Sequence, residues 1–180
     1  MSDTGLKAAA KKRWLLVGLL CTLLLQLGVL AGEYLSSVWP LWHGQPVLLK
    51  TEPVDPRSLF RGNYVRLNYA ISRVDAALAD APFRRREVVY VLLEPQGEYQ
   101  VAAALLHEPP AQGRFIRGRI RWQSGESYGI EYGIEAFFMP KQKAQAAQAA
   151  VRGQDAWAQV YLLANGRAAI ADLICEQSCR

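Results

Sequence analysis

Hydrophobic and polar positions along the chain follow two regimes that meet near residue 32. From Trp14 to Ala31 the sequence "WLLVGLLCTLLLQLGVLA" carries no charge, and Thr22 and Gln26 are its polar residues. As a helix this stretch spans about 27 Å, close to the thickness of a bilayer's hydrocarbon core. Beyond it the period changes to two. Val47 to Lys50 is a short apolar run that ends at Glu52-Pro53. Val65, Leu67, Tyr69 and Ile71 alternate with Arg66, Asn68, Ala70 and Ser72, the mark of a half-buried strand.

Hairpins follow. "VVYVLLEPQGEYQVAAALL" reads as two apolar strands turning near Pro95 to Gly97, and "WAQVYLLANGRAAIADLI" as a second pair. In the second, Asn165-Gly166 has the positive φ preference that a two-residue type I′ turn requires. Between them, Ile116, Ile120, Trp122, Tyr128, Ile130, Tyr132, Ile134 and Phe138 share one parity. Arg117, Arg119 and Arg121 share the other with Glu131 and Glu135. Folding this segment at Ser124 to Glu126 puts the apolar residues on one face and sets arginines across from glutamates. A one-residue slip would bury the charges, so this register is strongly specified.

Helix is scarce after the first run. "SRVDAALADAPF" predicts a short helix with Ser72 as N-cap and Asp75 near the capping-box position. "PKQKAQAAQAAVRG" predicts a second, exposed helix between Pro140 and Gly153, with alanine as its main apolar residue. The expected fold class is mainly β: one N-terminal transmembrane helix, then a compact β-sandwich or β-barrel-like domain with one or two short helices.

Charge adds a direction. Lys7, Lys11, Lys12 and Arg13 precede the apolar run, against Asp3 alone. The positive-inside rule then makes residues 1–13 a cytoplasmic basic tail, 14–34 a transmembrane anchor and 35–180 an extracytoplasmic β-rich domain. Tyr34, Trp39 and Trp42 stand where an outer aromatic belt belongs. Val29-Leu30-Ala31 resembles a signal-peptidase site, but the long run and the aromatics after it favour a retained anchor. Leu20 before Cys21 is too bulky for a lipoprotein anchor. Beyond residue 32 there remain 17 Lys or Arg against 15 Asp or Glu, too even a balance to attract nucleic acid.

The chemistry-bearing residues are few. His43 and His107 stand apart from each other and from the cysteines, with no zinc-ligand spacing. No phosphate-binding glycine loop is present. Ser58 invites comparison with the Ser–Lys dyad of membrane-anchored signal peptidases, but Lys50 precedes it and Lys141 and Lys143 lie in a polar helix, the wrong order and placement. No catalytic, cofactor or metal site is therefore assigned. Cys175 and Cys179 could bridge only if the tail turns, since an extended spacer holds their Cα atoms about 13 Å apart.

The densest stretch is "DPRSLFRGNYVRLNY", residues 55 to 69. Asp55 can cap a single helical turn that Pro56 begins and Gly62 ends, and Asn63 then launches a strand at Tyr64. Arg57 and Arg61 lie on one side of that turn, free to pair with Asp55 or Glu52 or to bind an anion.

"PVDPRSLFRGNYVRLNYAIS" together with "EYGIEAFFMP" resembles the paired signature of the GDYXXLXY family of membrane-anchored proteins. Gly62, Asn63, Tyr64, Leu67 and Tyr69 occupy the namesake positions. Asp55, Arg57, Arg61, Tyr132, Gly133 and Glu135 fill accompanying ones. The family's aspartate is Asn63 here, which keeps the turn preference but cannot act as a general base. The resemblance implies a single-pass protein of the bacterial inner membrane with a periplasmic domain, encoded near multi-pass membrane proteins, and it carries no reaction or cofactor. Three readings are expected from these observations. The first is a non-enzymatic accessory partner of an integral membrane protein. The second is a sensing module for an anionic or polar ligand at Arg57 and Arg61. A diverged signal-peptidase-like fold without a dyad is the third.

Overall fold

A computed structural model of the protein describes residues 3–53, 64–138, 151 and 156–175, with side chains placed except at 3–12, 64, 65 and 175. The chain divides into two compact units, Met1–Trp39 and Pro40–Arg180.

The first unit is helix. Helix α1 covers Asp3–His43, running through Tyr34, Trp39 and Trp42 before it ends. Its Arg13–His43 portion is long and apolar enough to cross a membrane, with a mean hydropathy of 2.3 in its most apolar window. Leu15, Leu19, Leu25 and Leu30 are more than half exposed, so this surface finds no cover within the unit. The hydroxyl of Thr22 donates to the carbonyl of Gly18 at 2.9 Å, which satisfies it inside the helix as a bilayer would demand. The helix is a candidate membrane anchor or signal sequence.

The second unit is built from strands. In chain order they are β1 (Gln45–Glu52), β2 (Tyr64–Arg66), β3 (Asn68–Tyr69), β4 (Arg73–Asp75), β5 (Val88–Gln96) and β6 (Tyr99–Leu106). Then come β7 (Arg114–Ser124), β8 (Ser127–Glu131), β9 (Ala136–Phe138), β10 (Ala156–Leu162) and β11 (Ala168–Cys175). The main sheet has the order β11-β10-β1-β6-β5-β7-β8-β4, and β3 pairs with β1. Because β4 follows β3 through the 3-10 turn Ala70–Ser72, the pairing closes a barrel-like circuit from β1 around to β8 and back. β2 and β9 form a separate two-stranded ribbon.

The core lies inside this circuit. Leu49, Tyr69, Val89, Val91, Leu105 and Ile116 are fully buried there. The alternation read from sequence places Leu67, Tyr69 and Ile71 inward, all buried. It does not predict that the chain takes three partners in turn, with β2 on β9, β3 on β1 and β4 on β8.

The expected register of the β7–β8 hairpin holds on one side of an irregularity between Ile120 and Trp122, with Ile120 opposite Ile130 and Arg119 opposite Glu131. On the turn side Trp122 faces Gly129 and Gln123 faces Tyr128, one residue out of it. Phe138 departs from its parity: it is 74% exposed at the tip of the ribbon. The expected helix from Ser72 does not form. β4 interrupts it because Arg73, Val74 and Asp75 bond to β8, and one 3-10 turn, Ala76–Leu78, follows. Asp75 caps that turn, its carboxylate accepting from the N–H of Ala77 at 2.8 Å.

The β10–β11 turn also differs from type I′. Gly166 has φ 77° but Asn165 does not have positive φ, and the N–H of Gly166 donates to Leu163. This is a longer loop closed by a left-handed glycine. Asn165 contributes its side chain, which accepts from the N–H of Arg167. The helix expected at Pro140 to Gly153 lies outside the described residues except Val151, which is buried in the core.

Candidate functional site

The two signature segments meet. From residue 64 the chain runs antiparallel to 136–138, with Tyr64 opposite Phe138 and Arg66 opposite Ala136. The N–H of Leu67 then donates to the carbonyl of Glu135 at 2.8 Å, extending the contact past the ribbon. Beyond this point the tyrosines exchange bonds. The Tyr69 hydroxyl donates to the carbonyl of Ile134, and the Tyr132 hydroxyl to the carbonyl of Ile71, each at 2.5 Å. Each segment therefore supplies one phenol and one carbonyl to the other.

Both rings are buried, and a buried phenol needs such an acceptor. Burial pushes both hydroxyls well above the usual phenol range, and the nearby negative charge of Glu135 adds to the effect. They remain protonated donors.

Glu135 holds the turn that aims these groups. Its carboxylate accepts from the N–H of Tyr132 at 2.5 Å and of Gly133 at 2.9 Å. Gly133 sits at φ 81°, a conformation that a side chain would strain. Tyr132, Gly133 and Glu135 are thus read as shape, as are Leu67 and Tyr69. The reciprocal exchange escaped the sequence reading. Its signal was there: tyrosines on a strand's buried parity, at 69 and 132, must find acceptors.

Arginines form the second feature. Arg84, Arg85, Arg86, Arg117, Arg119 and Arg121 are exposed, and none of them joins an ion pair among the described residues. The guanidinium of Arg119 donates to the carbonyl of Arg86 at 3.3 Å, and that of Arg85 to the carbonyl of Arg121 at 3.2 Å. These contacts bring the run 84–86 beside β7. The cross-strand Arg–Glu pairing expected from register does not become an ion pair, although Arg119 and Glu131 face each other. Arg86 has φ 71°, the one positive value at a non-glycine position among the described residues. Its N–H, donating to Ile120 at 2.7 Å, helps hold it there.

His107 does not stand alone as the sequence suggests. Its ring stacks on Phe83 at 3.8 Å, with Nδ1 2.7 Å from Asp80 and Nε2 3.9 Å from Glu87. Slight desolvation of Asp80 acts upward, but hydrogen bonds from the His107 ring and backbone and the ring's charge hold the carboxyl below its usual range. Lys50, one lysine considered for a dyad, lies over the Tyr99 ring at 5.9 Å. Among the described residues no group of three or more His, Cys, Asp or Glu side chains converges to hold a metal.

The remaining residues singled out from sequence stand as follows. Asp55, Arg57, Ser58, Arg61, Gly62 and Asn63 lie outside the described residues, as do Lys141, Lys143 and Cys179. Tyr64 is placed by its backbone at the start of β2, and Cys175 at the end of β11 opposite Ala156. β1 ends at Glu52, and the described chain resumes at Tyr64, opposite Phe138.

No curated protein matches the chain. No solved structure matches it. A family match covers residues 26–173, taking in both signature segments and the whole strand circuit, and the chain belongs to the GDYXXLXY protein family.

Proposed function

We propose that this is a non-enzymatic accessory protein: an anchored β-domain that docks on an integral membrane protein through its arginine face. The observation that carries the reading is the contrast between fully engaged tyrosines and unpaired arginines. Leu67, Tyr69, Tyr132 and Glu135 are consumed in holding the fold, whereas six arginines face solvent with no carboxylate partner among the described residues. The strained Arg86 supports the reading, because backbone strain persists where surrounding structure holds it and gathers at functional surfaces. Arginine is also the residue that interfaces favour for bidentate contact with carboxylates. The anchor lies in the bacterial inner membrane with residues 1–13 cytoplasmic and the domain periplasmic, in keeping with the cations before the apolar run.

The test is crosslinking of the full chain in native membranes, followed by identification of what it captures. A membrane protein enriched over a helix-only control, and lost with Arg85→Ala, Arg119→Ala and Arg121→Ala together, is the expected result. A chain that captures nothing beyond that control, or whose capture ignores the arginines, overturns the reading.

A further inference from the structure

The outer face of the sheet carries two adjoining rows of different chemistry. On β5, Val89, Val91 and Leu93 are buried in the core, so Val88, Tyr90 and Leu92 point outward, and all three are half-buried. On one side of this row, Leu106 of β6 lies opposite Tyr90 and Ala104 opposite Leu92. On the other side, Arg119 of β7 lies opposite Val88 and Arg117 opposite Tyr90. Directly opposed residues share a face with their Cβ atoms about 5 Å apart. An apolar strip on β5 and β6 therefore runs alongside a row of guanidinium groups on β7.

This surface differs from an ordinary solvated face in three respects. Its charge is one-sided: Arg117, Arg119 and Arg121 are exposed and make no ion pair among the described residues, and Glu131, opposite Arg119, does not close on it. Its backbone is shaped around the cations. Ile120 faces Ile130 and Trp122 faces Gly129, so Arg121 is the extra residue of a bulge, a device that re-aims side chains. The turn holding Arg86 at positive φ is fastened there, the N–H of Arg86 donating to Ile120 and Arg85 Nε to the carbonyl of Arg121. Its apolar strip is also preorganised, because the Tyr90 ring meets Phe115 edge to face at 5.8 Å while part of it stays in solvent. Tyrosine and arginine are the residues that protein interfaces favour.

We propose that this surface takes an acidic amphipathic segment of a protein partner, its carboxylates on Arg117, Arg119 and Arg121 and its apolar side chains on Val88, Tyr90 and Leu92. The proposal rests on the docking reading above and gives the docking partner a chemistry. Neighbouring strands lie about 4.8 Å apart, so one segment can cover both rows. A guanidinium matches a carboxylate bidentately, which fixes the register of the segment as well as attracting it. A lipid surface fits less well. The arginines are exposed and the apolar row is half-buried between its neighbours, so a planar sheet of headgroups meets the cations and leaves Val88, Tyr90 and Leu92 wet. A packed side chain dries them.

The experiment uses the full chain in nanodiscs of phosphatidylcholine, with empty discs as the control, and follows a fluorescent amphipathic peptide of glutamate and leucine by anisotropy. Saturable binding is expected, weaker by about tenfold or more with Arg117→Gln, Arg119→Gln and Arg121→Gln together. Replacing the peptide's glutamates by glutamine, or its leucines by serine, should weaken it comparably. The three arginines are exposed, so these variants keep the fold, and the two altered peptides test each row on the unaltered protein. No binding over empty discs, binding indifferent to the arginines, or the serine peptide binding as tightly as the leucine one overturns the proposal. Phosphatidylglycerol vesicles that displace the peptide at equal surface charge do so too. Crosslinking in native membranes separates this proposal from the reading beneath it. A chain that captures an arginine-dependent partner yet binds none of these peptides overturns the proposal and leaves docking intact. A chain that binds the peptide but captures no membrane protein supports the surface chemistry and overturns docking.

Discussion

Strand β1 borders two junctions of opposite character. Where it meets β3, at Thr51 and Glu52, the neighbouring segments are locked by the Tyr69 and Tyr132 exchange and the Glu135 cap. Where it meets β6, one residue pair holds the strands and a buried amide oxygen goes unpartnered. Both junctions carry polar groups in low-dielectric surroundings, where a satisfied hydrogen bond is strong and an orphan is costly. The difference teaches how to divide polar residues in this fold. Polar groups that answer one another build the domain, and a buried one left unanswered, like the Gln100 oxygen, costs it stability.

Substitutions should reproduce that division. The largest expected effect is Tyr69→Ala, which empties a fully buried site and removes a bond at once, at about 3–5 kcal/mol. Tyr69→Phe and Tyr132→Phe should each cost about 1–3 kcal/mol, because each leaves a carbonyl buried without its donor. The double phenylalanine variant should depart from additivity, since both bonds hold the same two segments together. Denaturant unfolding of the full chain in detergent measures all four. If the two phenylalanine variants are silent, the clasp is not what joins the signature segments.

Glu135→Ala follows, at about 1–3 kcal/mol, because the N–H groups of Tyr132 and Gly133 lose their shared acceptor. Glu135→Gln should cost less, since its amide oxygen can still accept. The tyrosines also predict an alkaline limit. Their folded-state hydroxyls titrate above the unfolded value near 10, so their contribution is complete below about pH 10 and is lost as pH rises beyond it. Tyr69→Phe should flatten that decline, and the slope of unfolding free energy against pH reads it out.

At the β6 junction the stability effects should be small or reversed. Gln100→Leu should be neutral or mildly stabilising, because it deletes the unpartnered oxygen. Glu98→Gln and Arg114→Gln should stay within about 0.5 kcal/mol. A marked loss of stability in any of the three would place this junction in the same class as the clasp.

The sequence made one side of this contrast far more legible than the other. Period-two alternation found the inward positions Leu67, Tyr69, Ile71, Tyr128, Ile130 and Tyr132, because burial acts on each side chain singly. It also specified the β7–β8 register at Arg119 and Ile120, but not the one-residue shift on the turn side between Ile120 and Trp122. Partner choice was invisible, because alternation says which face is buried but not which strand lies alongside. Hence a continuous strand was expected where β2 and β3 bond to different neighbours, and a helix where Val74 and Asp75 pair with Tyr128 and Ser127. His107 was misjudged for the same reason: Asp80 and Glu87 lie far from it in sequence and reach it only after β5 and β6 fold together. Gln100 gave no signal at all. An amide becomes informative only when its surroundings show that nothing answers it.

The place of β1 in the strand order has a kinetic consequence. Its antiparallel partner β10 begins more than a hundred positions later, and the Thr51 hydroxyl finds its acceptor, the carbonyl of Ala156, 105 residues away. A ribosome making the chain from its N-terminus releases β1 first and its mate near the end. Until then the first strand presents an open edge that can recruit the wrong neighbour. Contacts this distant in sequence also slow the final closure. A chain cut short before Ala156 would therefore keep most of its strands yet lack the one that covers the first.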